Sequence, residues 1–220
     1  MLVLSIFLLT HDMGRNKKSR YHKKSDDYQK KNDDIITVDF EKADLGASGF
    51  LDVLETYEEK GFVFAPELTG EAPAAGFIAN ADSTLPLFGS TFKALESLAD
   101  LGNGAKPNQA LTPSYLQPFP DDLIITYFEN DDDWGDIAEQ EDFKFKGCYV
   151  AGLEASAKAV TEFEVTFTGL YEGKVVGEFT TLATSGGFVK SQIKEDIDTL
   201  IIGTTDPNIG FFVDNMIFDV

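Results

Sequence analysis

The chain has 220 residues, 43% of them hydrophobic, with 19 phenylalanines and a formal net charge of −20. This apolar and aromatic content excludes a wholly disordered chain and is sufficient for one large β domain. Nineteen glycines and eight prolines, among short runs rich in Phe, Val, Ile and Thr, favour strands joined by turns over long helices. Because Cys148 is the single cysteine, no internal disulfide can form, and the fold must depend on its core or on bound ions.

Charge divides the chain into two parts. Residues 1–34 contain eight Lys/Arg and five Asp/Glu, whereas residues 35–220 contain ten Lys, no Arg and 33 Asp/Glu. Such an acidic body repels phosphate backbones, so we expect no nucleic-acid partner. The same carboxylates suit surroundings rich in divalent cations such as Ca²⁺.

The amino-terminal stretch MLVLSIFLLT is a poor match to known targeting segments. It is too short to span a bilayer, which needs roughly 20 residues. No positive residue precedes it and no small-residue cleavage site follows it, as a signal peptide would require. Translation from Met13 is an alternative start. We therefore predict a disordered or mis-annotated basic tail over residues 1–34, one domain over residues 35–220 and no membrane span.

The first half of the body contains few strand signals. Residues 35–41, IITVDFE, alternate Ile36, Val38 and Phe40 with polar residues, which indicates a half-buried first strand. The acidic segment that follows, to Lys60, is predicted to be irregular or partly helical, and residues 61–67 form a second short strand. Residues 92–102, FKALESLADLG, place apolar side chains at helical spacing and predict one short helix. Residues 103–122 are predicted to be a connection.

The second half predicts strands in close succession. Apolar, β-branched and aromatic runs predict six strands, at residues 123–129, 143–153, 161–171, 174–184, 198–204 and 210–220. Glu172-Gly173 predicts a tight hairpin, and the SGG sequence at residues 185–187 predicts another turn. Because no long helical crossovers separate these strands, the sheets should be antiparallel. The sequence therefore predicts an all-β, jelly-roll-like antiparallel β-sandwich.

The order of segments near the carboxyl end resembles a known group of modules. FKFKGCYVAGL, FEVTFTGLYEGKVVGEFTTL, IDTLIIGT and GFFVDNMIFDV lie in that order within residues 143–220. They resemble the exported bacterial β-sandwich modules of PEP-CTERM-type surface proteins, and ITVDFEKADLG is similar to the first strand of jelly-roll carbohydrate-binding modules. Because the sequence ends at Val220 without the PEP motif, anchoring by that route is not expected. The resemblance implies an extracellular or cell-surface module that binds glycan or matrix.

The resemblance also implies a structural metal. In jelly-roll modules of this kind, an acidic residue of the first strand and an Asp of the closing strand hold Ca²⁺. Carried over to this chain, Asp39 or Glu41 would bind the ion together with Asp214. Ca²⁺ takes six to eight oxygen ligands, so it would join the first strand to the last. The alternative is that Asp214 simply suits its strand and that Asp39 faces solvent.

The stretch ENDDDWGDIAEQED, residues 129–142, combines eight acids with the only tryptophan of the chain. Aligned with a calcium-binding EF-hand loop, Asp132 and Glu141 fall at positions three and twelve. Trp134 occupies a ligand position, however, and strands are predicted on both sides instead of helices. A looser calcium loop containing Asp132 and Glu141 is therefore one hypothesis for this stretch.

Two other hypotheses concern the same stretch. Trp134 could stack on a sugar ring while Asp133 and Asp136 accept hydrogen bonds from its hydroxyl groups. Alternatively, the stretch is a solvated acidic loop with Trp134 folded against the sheet edge.

The residues needed for most hydrolytic mechanisms are missing from the body. Both histidines, His11 and His22, lie in the tail, and Cys148 has no partner at metal-ligand spacing. We therefore predict a non-enzymatic, calcium-stabilised surface module that binds glycan or matrix. The alternatives are a structural module that self-associates through strand edges or its acidic face, and a carboxylate-pair glycosidase or lyase.

Overall fold

The computed structural model describes residues 34–53, 56–66, 76–80, 109–113, 122–128, 140–154 and 159–220. In these residues fifteen strands form two antiparallel sheets, which confirms the predicted β-sandwich. The strands are β1 (Ile35–Val38), β2 (Phe50–Val53), β3 (Tyr57–Glu59), β4 (Phe62–Pro66), β5 (Gly76–Asn80), β6 (Gln109–Thr112), β7 (Leu123–Phe128), β8 (Gln140–Glu141), β9 (Lys144–Glu154), β10 (Ala159–Val160), β11 (Glu162–Tyr171), β12 (Lys174–Thr184), β13 (Gly187–Lys190), β14 (Thr199–Thr204) and β15 (Ile209–Asp219). The predicted helix at 92–102 and residues 1–33 of the predicted tail lie outside the described residues.

The two sheets interleave along the chain. The first sheet has the order β10-β9-β15-β6-β5-β2, with β1 paired to β15 and β13 paired to β9. The second has the order β12-β11-β14-β7-β4-β3, with β8 paired to β7. From β12 onward each successive strand lies in the opposite sheet. Because consecutive strands cross between the layers, both sheets depend on contacts between distant parts of the sequence.

Phenylalanine rings fill the space between the sheets. Phe62 on β4 stacks on Phe218 on β15 with ring centroids 3.9 Å apart, and Phe143 meets both rings edge-on. Phe145 on β9 stacks on Phe167 on β11 at 5.5 Å. All five side chains are buried. These contacts join the first sheet to the second, and aromatic pairs of this kind stabilise a core beyond the area they bury.

The β11–β12 hairpin forms as predicted. Tyr171 pairs with Lys174, which leaves Glu172 and Gly173 as a two-residue turn with φ angles of 50° and 72°. Positive φ at both central residues gives the turn a twist that matches the flanking strands. The bounds of β12 are those expected from the sequence.

Three expectations in the first half of the body need correction. The segment before Lys60, expected to be irregular or partly helical, contains β2 and β3 and one short 3-10 turn, Gly46–Ser48. β6 lies inside the expected connection at residues 103–122, and its four residues are all buried. A strand covered on both faces shows no apolar–polar alternation, so the pattern did not reveal it. The first strand ends at Val38 because Phe40, with φ 56°, turns the chain.

Candidate functional site

The first and last strands meet at a bulge in β15. One edge of β15 pairs with β9 along nearly the whole length of β15. The other edge of β15 is shared by β1 and β6. β1 pairs with Met216–Asp219, and β6 pairs at Val213. Between these segments lie Asp214 and Asn215, where the register with β9 shifts and Asn215 has a φ of 44°. We refer to this place, with the chain that leaves β1, as the β15 junction.

Asp214 stabilises this bulge from a buried position. Its Oδ1 accepts a hydrogen bond from the backbone N–H of Asn215 at 2.6 Å, and its Oδ2 accepts one from Asn215 Nδ2 at 3.3 Å. The side chain is fully buried. Burial, and then the nearby Asp214 carboxylate, raise the pKa of the Cys148 thiol, so this thiol keeps its proton. Cys148 therefore serves as a small core residue.

Glu41 reaches the same junction from the end of β1. Its Oε1 accepts a hydrogen bond from the backbone N–H of Gln109 at 2.9 Å, at the start of β6. Gln109 is buried, and its side-chain Oε1 has no hydrogen-bond partner among the described residues. A buried acceptor without a donor is costly, and amide carbonyl and carboxylate oxygens are the ligand types that suit Ca²⁺. The oxygen atoms of the β15 junction thus fit the implied ion in kind.

Asp39 takes a different direction. Its Oδ1 lies 3.7 Å from Lys60 Nζ, which also lies 3.3 Å from Glu59 Oε1 and donates a hydrogen bond to the carbonyl of Thr37. The Glu59 side chain is only 1% exposed. Because β1 belongs to the first sheet and Lys60 follows β3 of the second, this ion pair connects the two sheets. The lysine ammonium supplies the positive charge next to Asp39.

No cluster of three or more His, Cys, Asp or Glu side chains suited to a metal ion occurs in the part of the chain that the structure describes. Four of the predicted residues, Asp132, Asp133, Trp134 and Asp136, lie outside that part. Glu141 lies within it, exposed on the two-residue strand β8 opposite Tyr127. The binding roles of these five residues stay predictions.

Sequence reasoning did not identify Tyr171, which lies exposed at the end of β11. Carboxylates from three parts of the chain raise the pKa of its hydroxyl group; the strongest influence is Asp142, followed by Glu172, then partial burial, and then Asp198 and Asp196. The hydroxyl group therefore stays protonated and can donate a hydrogen bond. An exposed aromatic ring in an acidic part of the surface is suited to contact a polyol. We call these five residues the Tyr171 surface.

The acidic stretch ends at the Tyr171 surface. Gln140 Nε2 donates hydrogen bonds to the carbonyl of Asp198 at 2.7 Å and to Thr199 Oγ1 at 3.4 Å. The Asp198 carboxylate also accepts a hydrogen bond from the backbone N–H of Glu172. These contacts hold the carboxyl end of the stretch, including Asp142, next to the β11–β12 turn. The only sequence signal for this surface was the hairpin tip at Tyr171.

Comparison with known proteins adds no assignment. Models of protein families, curated proteins and solved structures give no match to this chain. The described residues include no helix with the length and apolar character needed to cross a bilayer. The resemblance to PEP-CTERM-type modules and to carbohydrate-binding jelly rolls therefore stays a prediction, and function must be inferred from the side chains themselves.

Proposed function

We propose that this chain is a non-enzymatic, calcium-stabilised β-sandwich that binds glycan or matrix outside the cell or at its surface, with the sugar at the Tyr171 surface. The observation that carries the proposal is the exposed Tyr171 ring next to the β11–β12 turn, where the Asp198 carboxylate accepts a hydrogen bond from the backbone N–H of Glu172. Sugar rings present apolar C–H faces that stack on aromatic rings. Their hydroxyl groups donate hydrogen bonds to carboxylates.

The charge of this surface limits the class of glycan. Asp142, Glu172, Asp196 and Asp198 are acceptors when ionised and repel anions at short range. The ligand is accordingly a neutral glycan or one with amino groups, and sulfated or uronic-acid polymers are disfavoured. Trp134, with Asp133 and Asp136, is the proposed second group of sugar contacts.

The non-enzymatic part of the proposal is supported by the pair of acids that share Lys60. A carboxylate-pair glycosidase needs two carboxyl groups that both reach the scissile bond. Glu59 is buried and accepts a hydrogen bond from Tyr57 at 3.1 Å, so a sugar cannot approach it next to Asp39. This pair supports packing of the two sheets and is unsuited to act as a catalytic pair.

The calcium part of the proposal is supported by Gln109, whose backbone N–H donates to Glu41 and whose buried side-chain Oε1 has no hydrogen-bond partner within the described ranges. Asp214 is the buried carboxylate of the same junction. Asp39, Asp132 and Glu141 remain the other candidate ligands. An ion at the junction would join the end of β1 to β15 and β6 and thereby stabilise the first sheet.

Thermal unfolding of the full chain in EDTA, and then with added Ca²⁺, tests the calcium proposal. Calcium at about 100 times its dissociation constant should add about 2.7 kcal/mol, which raises Tm by about 5–10 °C for a domain of this size. Loss of the shift in Glu41→Gln, with Glu195→Gln as the exposed control, places the ion at the junction. Loss in Asp132→Asn alone places it in the acidic stretch. Absence of any saturable shift overturns the proposal.

Glycan binding is tested on an array of neutral, amino and acidic glycans, followed by calorimetry in solution on any glycan that binds. We expect saturable binding to a neutral or amino glycan that is lost in Tyr171→Ala. Phe188→Ala is the matched control, because it removes an exposed aromatic ring from another edge of the sandwich. Binding that survives both Tyr171→Ala and Trp134→Ala, or no binding at all, contradicts the glycan proposal.

A further inference from the structure

Strand β12 forms an edge of the second sheet. Among the residues that the structure describes, it pairs only with β11. Its eleven residues make it long, since strands usually have about 5–6. Natural proteins protect long edges with charges, prolines or bulges that stop another chain from pairing. β12 has one Lys, one Glu, no proline and a single register shift near its start, so most of this edge is suited to pairing.

Exposed apolar side chains are concentrated along the same edge. The large hydrophobic side chains that are exposed in the described residues are Ile35, Tyr171, Val175, Val176, Leu182 and Phe188. Val175, Val176 and Leu182 lie on β12, and Phe188 lies on β13, the next strand along the chain. Leu182 is 63% exposed and lies opposite Glu164 on the outer face of the hairpin. Exposed apolar side chains along a strand edge that is free to pair indicate an interaction surface.

A groove lies beside this edge, where the chain crosses from β12 to β13. Its volume is about 240 Å³, and its lining includes Leu182, Phe188, Lys190 and Gln192. Phe188 packs edge-on against Tyr149 at 5.1 Å, which holds its ring in place. The groove lies where a partner that pairs with β12 would contact the carboxyl end of this strand.

The charge of the edge indicates which partner fits. Residues 174–190 contain two Lys and one Glu, in a chain with 38 acids and 18 basic residues. A basic partner would be attracted to the acid-rich surfaces rather than to this one. Two copies of an acidic chain repel each other least where acids are sparse. The partner that this edge fits best is therefore a second copy.

We propose that two copies of this chain associate through β12, with the two strands antiparallel about a two-fold axis. An axis at Phe179 pairs Val176 with the partner's Leu182 and Lys174 with the partner's Thr184. No like charges then lie opposite each other, and the second sheet continues through the dimer. The interface is isologous, so each copy contributes the same edge. This association is independent of glycan binding at the Tyr171 surface.

Sedimentation equilibrium of the full chain from micromolar to millimolar concentration tests the proposal. We expect a reversible dimer that becomes tighter between about 0.1 M and about 1 M NaCl, because salt shortens the Debye length from about 10 Å to about 3 Å. Leu182→Glu places a carboxylate on the edge and should weaken the dimer by at least about 10-fold. Ile35→Glu is the matched control, since Ile35 is 59% exposed on a different strand.

A cross-linking experiment tests the arrangement of the strands. In this register Thr180, which is exposed, lies opposite the partner's Glu178, so a mixture of Thr180→Cys and Glu178→Cys copies should form an intermolecular disulfide on mild oxidation. Thr205→Cys, exposed elsewhere, should form no disulfide with either variant. A monomer at every concentration and salt overturns the proposal, as does a dimer that Leu182→Glu leaves unchanged. A dimer whose Thr180→Cys and Glu178→Cys copies form no such disulfide overturns the antiparallel arrangement.

Discussion

Replacing Phe62 by Ala removes the ring that connects the two sheets most closely. Phe62 projects from β4 in the second sheet and is fully buried. It stacks on Phe218 of the first sheet at 3.9 Å, and Phe143 meets it edge-on at 5.4 Å. Phe62→Ala therefore leaves a cavity between the layers and removes both of these ring contacts as well as a third, with Tyr127 at 4.7 Å.

The expected loss of stability is large compared with the total. Buried Phe→Ala substitutions cost about 3–5 kcal/mol, and aromatic pairs contribute about 0.5–1.5 kcal/mol beyond the buried area. Because three ring contacts are lost at Phe62, we expect a cost near the upper end of that range. A domain of this size has a total stability of about 5–15 kcal/mol and loses about 2–4 °C of Tm per kcal/mol. Tm should therefore fall by about 10–20 °C.

Thermal and urea unfolding followed by far-UV circular dichroism measures this loss. Phe188→Ala deletes the same atoms from a ring that is 42% exposed, and it should cost less than half as much. A double-mutant cycle with Phe218→Ala should give a coupling free energy of about 0.5–1.5 kcal/mol. If Phe62→Ala costs no more than Phe188→Ala, or if Phe62 and Phe218 prove additive, the packing of the sheets described above is wrong.

Three further substitutions or reactions test individual contacts. Gly152→Ala would place its Cβ 2.1 Å from Val160 Cγ2, so we expect the free energy of unfolding in urea to fall by about 1–3 kcal/mol. An unchanged unfolding midpoint would contradict this contact. Lys60→Met leaves the buried Glu59 carboxylate without its cation and should lower the free energy of urea unfolding by about 1–3 kcal/mol. An unchanged free energy would mean that the ion pair contributes nothing to stability. Cys148, buried and with a raised pKa, should react with a thiol reagent only after unfolding, and rapid reaction of the native protein would refute its burial.

Local pattern was sufficient for the hairpin-rich carboxyl half of the chain. Phe163, Val165 and Phe167 alternate with polar residues, and all three side chains are buried, as the alternation predicts. The Glu172-Gly173 turn also follows from local chemistry, since glycine tolerates positive φ and the turn sets the register of the two strands. Both signals are contained within a few neighbouring residues.

Apolar–polar alternation did not reveal the strands that are covered on both faces. β5 and β6 contain runs of buried residues without alternation, because neighbouring strands lie on their edges and the sheets cover their faces. β3 has only three residues, too few to establish a period. Their existence depends on the tertiary structure around them.

The candidate site shows the same division. The acidic stretch was evident from the sequence, whereas the resemblance to jelly-roll modules alone implied that a first-strand acid and Asp214 belong to one site. The destinations of those acids were not evident: Asp39 meets Lys60, and Glu41 meets Gln109, 68 positions away in the chain. Tyr171 was missed because the carboxylates that act on it come from separate segments. Contacts between residues far apart in sequence leave no local signature.

The sequence by itself determined the class of the protein: composition excludes a wholly disordered chain, charge disfavours nucleic-acid binding, and period-two alternation with turn residues predicts an antiparallel sandwich. Only the tertiary structure decided that β1 pairs with β15, that Lys60 neutralises Asp39, and that β12 is an edge with Leu182 exposed. The physical reason is that strand propensity and turn geometry act over a few residues. Sheet order, ion pairing and edge exposure depend on which distant segments pack together to bury the apolar faces.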